Sequence, residues 1–321
     1  MVRKNSKFLA ALLGAAAALS ICGGQVSGQT VTGSVDRAQL AQTQGQPGYS
    51  ASSGSEGIED GHAASSPNDA DIGEQEILKR VPEYQPFTLS AACPIFYTSN
   101  VALTRSGEMS DVVFAPVVGA AYDPRITRTL YGHFAAREQV FYYGDNSAFN
   151  FGSLDVEAGL NYFLPQFHNL ILRGWYDFNR LTLDDRLGDE FFSNHAVILN
   201  AEVPFRIDRA QQISVGADAN LSVAADHQSP RRNDYEAYAA YSVSLTRAFS
   251  VNAGGRVVLR DYHQNGRTDV SEILALSATY RLTNWCAISA ISSFAHSDSN
   301  HDAFDYDVAN VGGVLGLSMK F

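Results

Sequence analysis

From Ala309 to Phe321 every second residue is apolar or glycine (Ala309, Val311, Gly313, Leu315, Leu317, Met319, Phe321), and Asn310, Ser318 and Lys320 lie between them. A period of two marks a strand with one oily face and one wetter face. The same alternation recurs upstream. Leu154, Val156, Ala158, Leu160 and Tyr162 oppose Asp155, Glu157, Gly159 and Asn161, and Leu170, Leu172, Gly174, Tyr176 and Phe178 alternate with Arg173, Trp175, Asp177 and Asn179. Val197 to Phe205 opposes Asn200 and Glu202, and Ile213 to Leu221 opposes Ser214, Gly216, Asp218, Asn220 and Ser222. Tyr235 to Leu245 and Phe249 to Leu259 repeat the theme against Glu236, Tyr238, Ser242, Ser244, Asn252, Arg256 and Arg260. Each run has about the ten residues that a tilted membrane strand needs.

The connections alternate in length as regularly. Short turns fall at Asp123-Pro124-Arg125, Pro165 to His168, Arg206 to Arg209, Thr246-Arg247-Ala248 and Thr283-Asn284. Between them come longer polar loops near 98–111, 143–152, 182–193, 226–233, 262–268 and 297–304. Five turns and six loops predict twelve strands. Short turns on one side and long loops on the other match the two faces of a membrane barrel. Tyr122, Tyr162, Phe205, Phe249, Tyr280, Trp285 and Phe321 sit beside the short turns, as does Phe163, and so form a candidate interfacial girdle. The first three strands are the least regular, because Pro94 and Pro116 fall inside them and proline in a sheet is confined to edges and bulges. Strand eleven, from Trp285 to Phe294, has no clean oily face.

A terminal strand that alternates in this way and closes on a bare Phe321 resembles the last strand of Gram-negative outer-membrane β-barrels. The resemblance implies an all-β fold: a closed antiparallel transmembrane barrel of about twelve strands, with a disordered N-terminal periplasmic segment. It implies a place in the bacterial outer membrane, contact with outer-membrane lipid, and delivery to the barrel-assembly machinery through the strand ending at Phe321. A soluble secreted sandwich would also alternate. The charges on the wetter faces and the asymmetry of the loops favour the barrel.

The N-terminus agrees with export. Arg3, Lys4 and Lys7 precede an apolar stretch from Phe8 to Ile21, with small residues at Cys22, Gly23 and Gly24. The stretch is too short for a membrane helix and reads as a signal peptide over residues 1–24. Leu19-Ser20-Ile21-Cys22 partly resembles a lipoprotein cleavage box, with bulky Ile21 where a small residue belongs. Residues 25–73 are rich in Gln, Ser, Gly, Ala and Asp and poor in large apolar side chains, so disorder is expected there. Residues 74–86 read as a short connecting segment, and residues 87–321 as the barrel.

Composition removes several classes of function. The formal net charge of −11 argues against nucleic acid as a partner. Cys93 and Cys286 remain if Cys22 leaves with the signal, and they read as unrelated thiols. No catalytic set, metal site or cofactor motif emerges, and the chain is expected not to be an enzyme. His227-Gln228-Ser229 with Asn233, and Asp184, Asp185 and Asp189 with His195, are faint hydrolase constellations that loop solvation explains more simply. His296 and His301 flank an acidic loop without any fixed geometry.

What remains is the interior. The inward faces carry Asp155, Glu157, Asp177, Glu202, Asp218 and Glu236 from strands four to eight, and Arg256, Arg260 and Arg281 from strands nine and ten, with Arg137 and Arg173 earlier. Charges inside a barrel must be hydrated or paired. A wet lumen makes them the lining of a narrow porin-like channel for small polar solutes or ions. A dry lumen makes them a salt-bridged plug in a non-conducting barrel that works through its extracellular loops.

Overall fold

The computed structural model describes residues 32–41, 84–183, 189–208 and 210–321. The proposed signal peptide, most of the 25–73 segment, residues 74–83 and the Asp184–Asp185 pair lie outside the described residues. The strands are β1 (Phe87–Thr98), β2 in two stretches (Asp111–Phe114 and Val117–Tyr122), β3 (Leu130–Tyr143), β4 (Phe151–Leu164), β5 (Leu170–Leu183) and β6 (Glu190–Arg206). They continue with β7 (Gln211–Asp226), β8 (Arg232–Ser244), β9 (Phe249–Tyr262), β10 (Thr268–Arg281), β11 (Cys286–Ser299) and β12 (Tyr306–Lys320). Every strand pairs antiparallel with its sequence neighbours, and β12 pairs with β1 from Lys320↔Thr88 to Asn310↔Thr98. The sheet therefore closes on itself as a twelve-stranded barrel and leaves no free edge. Backbone bonds between Phe87 and Phe321, 3.0 Å in both directions, complete the seam.

The two prolines interrupt β2 without shifting it. Ile95↔Phe114 and Ala92↔Val117 belong to one continuous register, in which Pro94 and Pro116 fall at adjacent rungs. Neither proline has an N–H to give, so the ladder lapses there for want of donors. The Pro94 carbonyl still accepts from Ala115 N, and the Pro116 carbonyl from Val140 N, each at 3.0 Å.

Facing follows the period-two pattern. Val156, Leu172, Leu199, Val215, Leu259 and Leu315 are exposed on the outer wall, where a bilayer would cover them. Tyr122, Tyr162, Phe205, Tyr280, Trp285 and Phe321 are exposed around the short-turn end, with Phe249 paired to Tyr280 on the same face. Tyr122 stacks on Phe87 at 4.4 Å between ring centroids. No helix among the described residues is long and apolar enough to cross a membrane. Spin labels at Val243 and Ser244 are expected to report lipid and water respectively; the reverse pattern would mean a one-residue slip of β8. Cys93 and Cys286 are both free thiols.

One element departs from the sequence reading. Residues 32–41, within the stretch expected to be disordered, form a helix (α1). An isolated ten-residue helix is marginal in water. This one is stabilised by tertiary contact, because it is buried inside the barrel against the inner faces near the long-loop end.

Candidate functional site

The lumen has two zones, and α1 divides them. At the loop end Ala38 joins a buried cluster with Phe96, Val101, Val113, Phe141, Tyr143, Phe151, Leu181 and Phe192. Leu40 joins a second cluster with Leu103, Val258, Ile273, Ala295, Tyr306 and Val308. The irregular β11 turns Ala295 inward into this second cluster, and Ile291 is buried on the same face. The space left beside Arg37 and Leu40 is about 20 Å³, room for roughly one water.

The polar side chains of α1 are matched as closely as the apolar ones. Arg232 Nη1 donates to Asp36 at 2.7 Å, and its Nη2 donates to Gln39 at 2.6 Å. Gln39 donates in turn to Asp234 at 3.0 Å, and Arg260 lies 3.8 Å from Asp36. Arg37 donates to the Val101 carbonyl at 3.0 Å, and its guanidinium sits 5.0 Å from the centroid of Phe149 and 5.7 Å from that of Phe151. Cations over aromatic faces are favoured most when desolvated, as here. Burial alone would raise the Asp36 carboxyl, but Arg232, Arg260 and Arg267 outweigh it and hold the group below the usual carboxylate range.

Below α1 the inward charges form separate pairs. Arg173 Nη1 donates to Glu202 at 2.9 Å and to Asn200 at 2.6 Å, and the Tyr238 hydroxyl donates to Glu202 at 3.1 Å. Arg256 bonds Glu236 at 3.0 Å, and Arg137 bonds Asp155 at 3.3 Å. His133 bridges Asp123 at 2.7 Å and Glu157 at 3.1 Å, with its ring stacked on Trp175. Asp177 is different. It is buried directly across from Glu157 in the ladder, and it has no ion pair among the described residues. Asp218 lies on the same inner wall, opposite Glu236. Arg281 has inward parity but stands exposed at the short-turn rim. A cavity of about 170 Å³ opens against this wall, lined in part by Ser90, Gly119, Arg137, Asp155 and Glu157.

Sequence reasoning missed Asp36, Arg37, Gln39, Arg232 and His133. The available signal for α1 was weak: Val35, Ala38 and Ala41 recur at a helical spacing, but over too few residues to outweigh the polar composition around them. Of the faint hydrolase sets, Asp184 and Asp185 lie outside the described residues. His195 lies on the outer wall against Phe178 and hydrogen-bonds the Tyr176 hydroxyl. His227 is exposed in the β7–β8 loop, and Asn233 turns to Ser222 and His263. His296 is held by Asp307 and Asp298, and His301 faces the Asn265 carbonyl.

No family model matches the chain, and no curated protein matches it. Among solved structures it is similar to an outer membrane channel from Pseudomonas putida F1, at 13% identity and a TM-score of 0.52, over 74% of this chain and 98% of that one. It is also similar to the translocator domain of the autotransporter NalP from Neisseria meningitidis, at 13% identity and a TM-score of 0.45, over 75% of this chain and 90% of that one. The likeness is one of fold, that of bacterial outer-membrane β-barrels, and it agrees with the lipid-facing belt and the closed sheet.

Proposed function

We propose that this outer-membrane barrel is a narrow, non-catalytic channel for small polar solutes or ions, with a preference for cations. The contrast along the lumen carries the reading. Beneath the packed loop end the wall is charged and borders a cavity of about 170 Å³, room for several waters. Twelve strands exceed the eight whose interior side chains can fill unaided. Three carboxylates on this side of the lumen, Asp123, Asp155 and Glu157, are met by two bases, His133 and Arg137, and Asp177 adds a fourth acid across the rung from Glu157, so this wall carries an excess of acid. Fixed charge of one sign on a hydrated wall selects ions of the other sign.

Recording in planar bilayers tests the proposal. Openings of the full-length protein are expected to pass cations in preference to anions, and Glu157→Gln, at a residue that lines the cavity, is expected to move the reversal potential toward zero. An unchanged potential would remove Glu157 from the path. Silence of the full-length protein and of a variant with α1 released would overturn the channel itself. A second reading, a non-conducting barrel acting through its loops, draws on two observations: α1 fills the loop end, and most lumen guanidiniums are engaged by carboxylates. On either reading, the strand ending at Phe321 is the segment offered to the barrel-assembly machinery.

A further inference from the structure

We propose that the loop end of the lumen is a docking socket for the chain's own residues 32–41, which leave and re-enter it as a plug while the barrel stays closed. As a gate, the plug rests on the channel reading; as a docking event, it can be measured separately.

Three observations carry the inference. First, the barrel is complete without α1. All twelve strand pairings, including the β1–β12 seam, run between strands alone. Second, the socket is built for this occupant. Arg260 is almost fully buried, and Asp36 is the one carboxylate within ion-pair range of it among the described residues; it also donates to the Ser271 hydroxyl and lies beside Tyr306. Arg232 is divided between Asp234 of its own strand and Asp36 and Gln39 of α1. Arg260 is thus a buried guanidinium for which the described wall offers no acid in range, and α1 delivers one. Third, the contact is one that water can replace. Asp36 and Gln39 hold by hydrogen bonds, and Leu40 and Ala38 bring the apolar contacts to the two clusters. Departure would hydrate Arg232, Arg260 and Asp234 in a lumen already polar below. The fit is also close: about 20 Å³ remains beside the helix, too little for a solute to pass.

The test uses the full-length protein in lipid vesicles, with Cys93 and Cys286 replaced by alanine and Ala38→Cys as the reporter. The thiol introduced by Ala38→Cys should react slowly with a polar maleimide while α1 is docked. Asp36→Asn, which keeps the shape and removes the charge, should accelerate labelling by at least tenfold. The barrel should meanwhile keep the heat-dependent gel mobility of a folded barrel. Arg260→Gln should do the same from the socket side. If labelling accelerates and current appears in the same variants, docking and gating both stand. If labelling accelerates without current, the plug stands and the channel reading falls. Unchanged labelling in Asp36→Asn, in Arg260→Gln and in Asp36→Asn combined with Leu40→Ser would overturn the plug. So would loss of the folded-barrel mobility in all three, because α1 would then be part of the fold.

Discussion

Arg173→Met is expected to be the most damaging single charge substitution in the lower lumen, with a loss of about 3–5 kcal/mol of barrel stability. The Glu202 side chain is fully buried and shares the guanidinium of Arg173 with Asn200, while Tyr238 donates to the same carboxylate. Methionine fills a similar volume but leaves the carboxylate without its counter-charge, and an unpaired buried charge costs far more than the intact pair contributes. The cost should therefore be recovered in large part by Arg173→Met with Glu202→Leu, which removes both charges together. Urea unfolding from vesicles, followed by gel mobility, measures both variants. A single variant within about 1 kcal/mol of the parent would mean that water reaches Glu202 and screens it, because exposed pairs are worth no more than that.

Gly312→Val should prevent normal closure of the barrel. Gly312 faces inward on β12 and is paired with Phe96 of β1 at the seam. A Cβ at this position would run into the Ile95 carbonyl oxygen and the Cα and Cβ of Phe96, most of which is backbone that cannot swing aside. Overpacking against side chains that yield typically costs about 1–3 kcal/mol. Here the strands themselves would have to separate, at the one ladder that joins the two ends of the barrel. The expected result is a sharp drop in the yield of the heat-modifiable folded form. Gly316→Val on the same inner face is the control, since its Cβ would first meet the Ala287 carbonyl at 4.0 Å, an ordinary contact. Equal folding of the two variants would show that the seam has slack.

Most of the wall was legible in the sequence, and the reason is local. Alternation along a strand records which side of the sheet each residue occupies, so Leu199 and Val215 could be assigned outward, and Glu202 and Asp218 inward, without any knowledge of their neighbours. The length rule for turns and loops gave the strand count even where Pro94 and Pro116 obscured β1 and β2. Proline weakens the hydrogen-bond ladder but leaves the register in place, so the count survived the interruption.

The chain by itself thus determined a twelve-stranded barrel, its lipid face and its inventory of inward charge. Only the tertiary structure decided how that charge is paired. Arg173 meets Glu202 across a strand pair, which spacing along the chain does not encode, because partners 29 residues apart are brought together by the register of the β5–β6 ladder. Ten residues beginning at Thr32 are too few to make more than a marginal helix alone, since a short polar segment cannot offset its ordering entropy in water. Inside the lumen the same residues find Arg232, Arg260 and two apolar clusters already in position. The surface that folds them is supplied by a sheet more than forty residues away in sequence, and no local pattern in the segment records it.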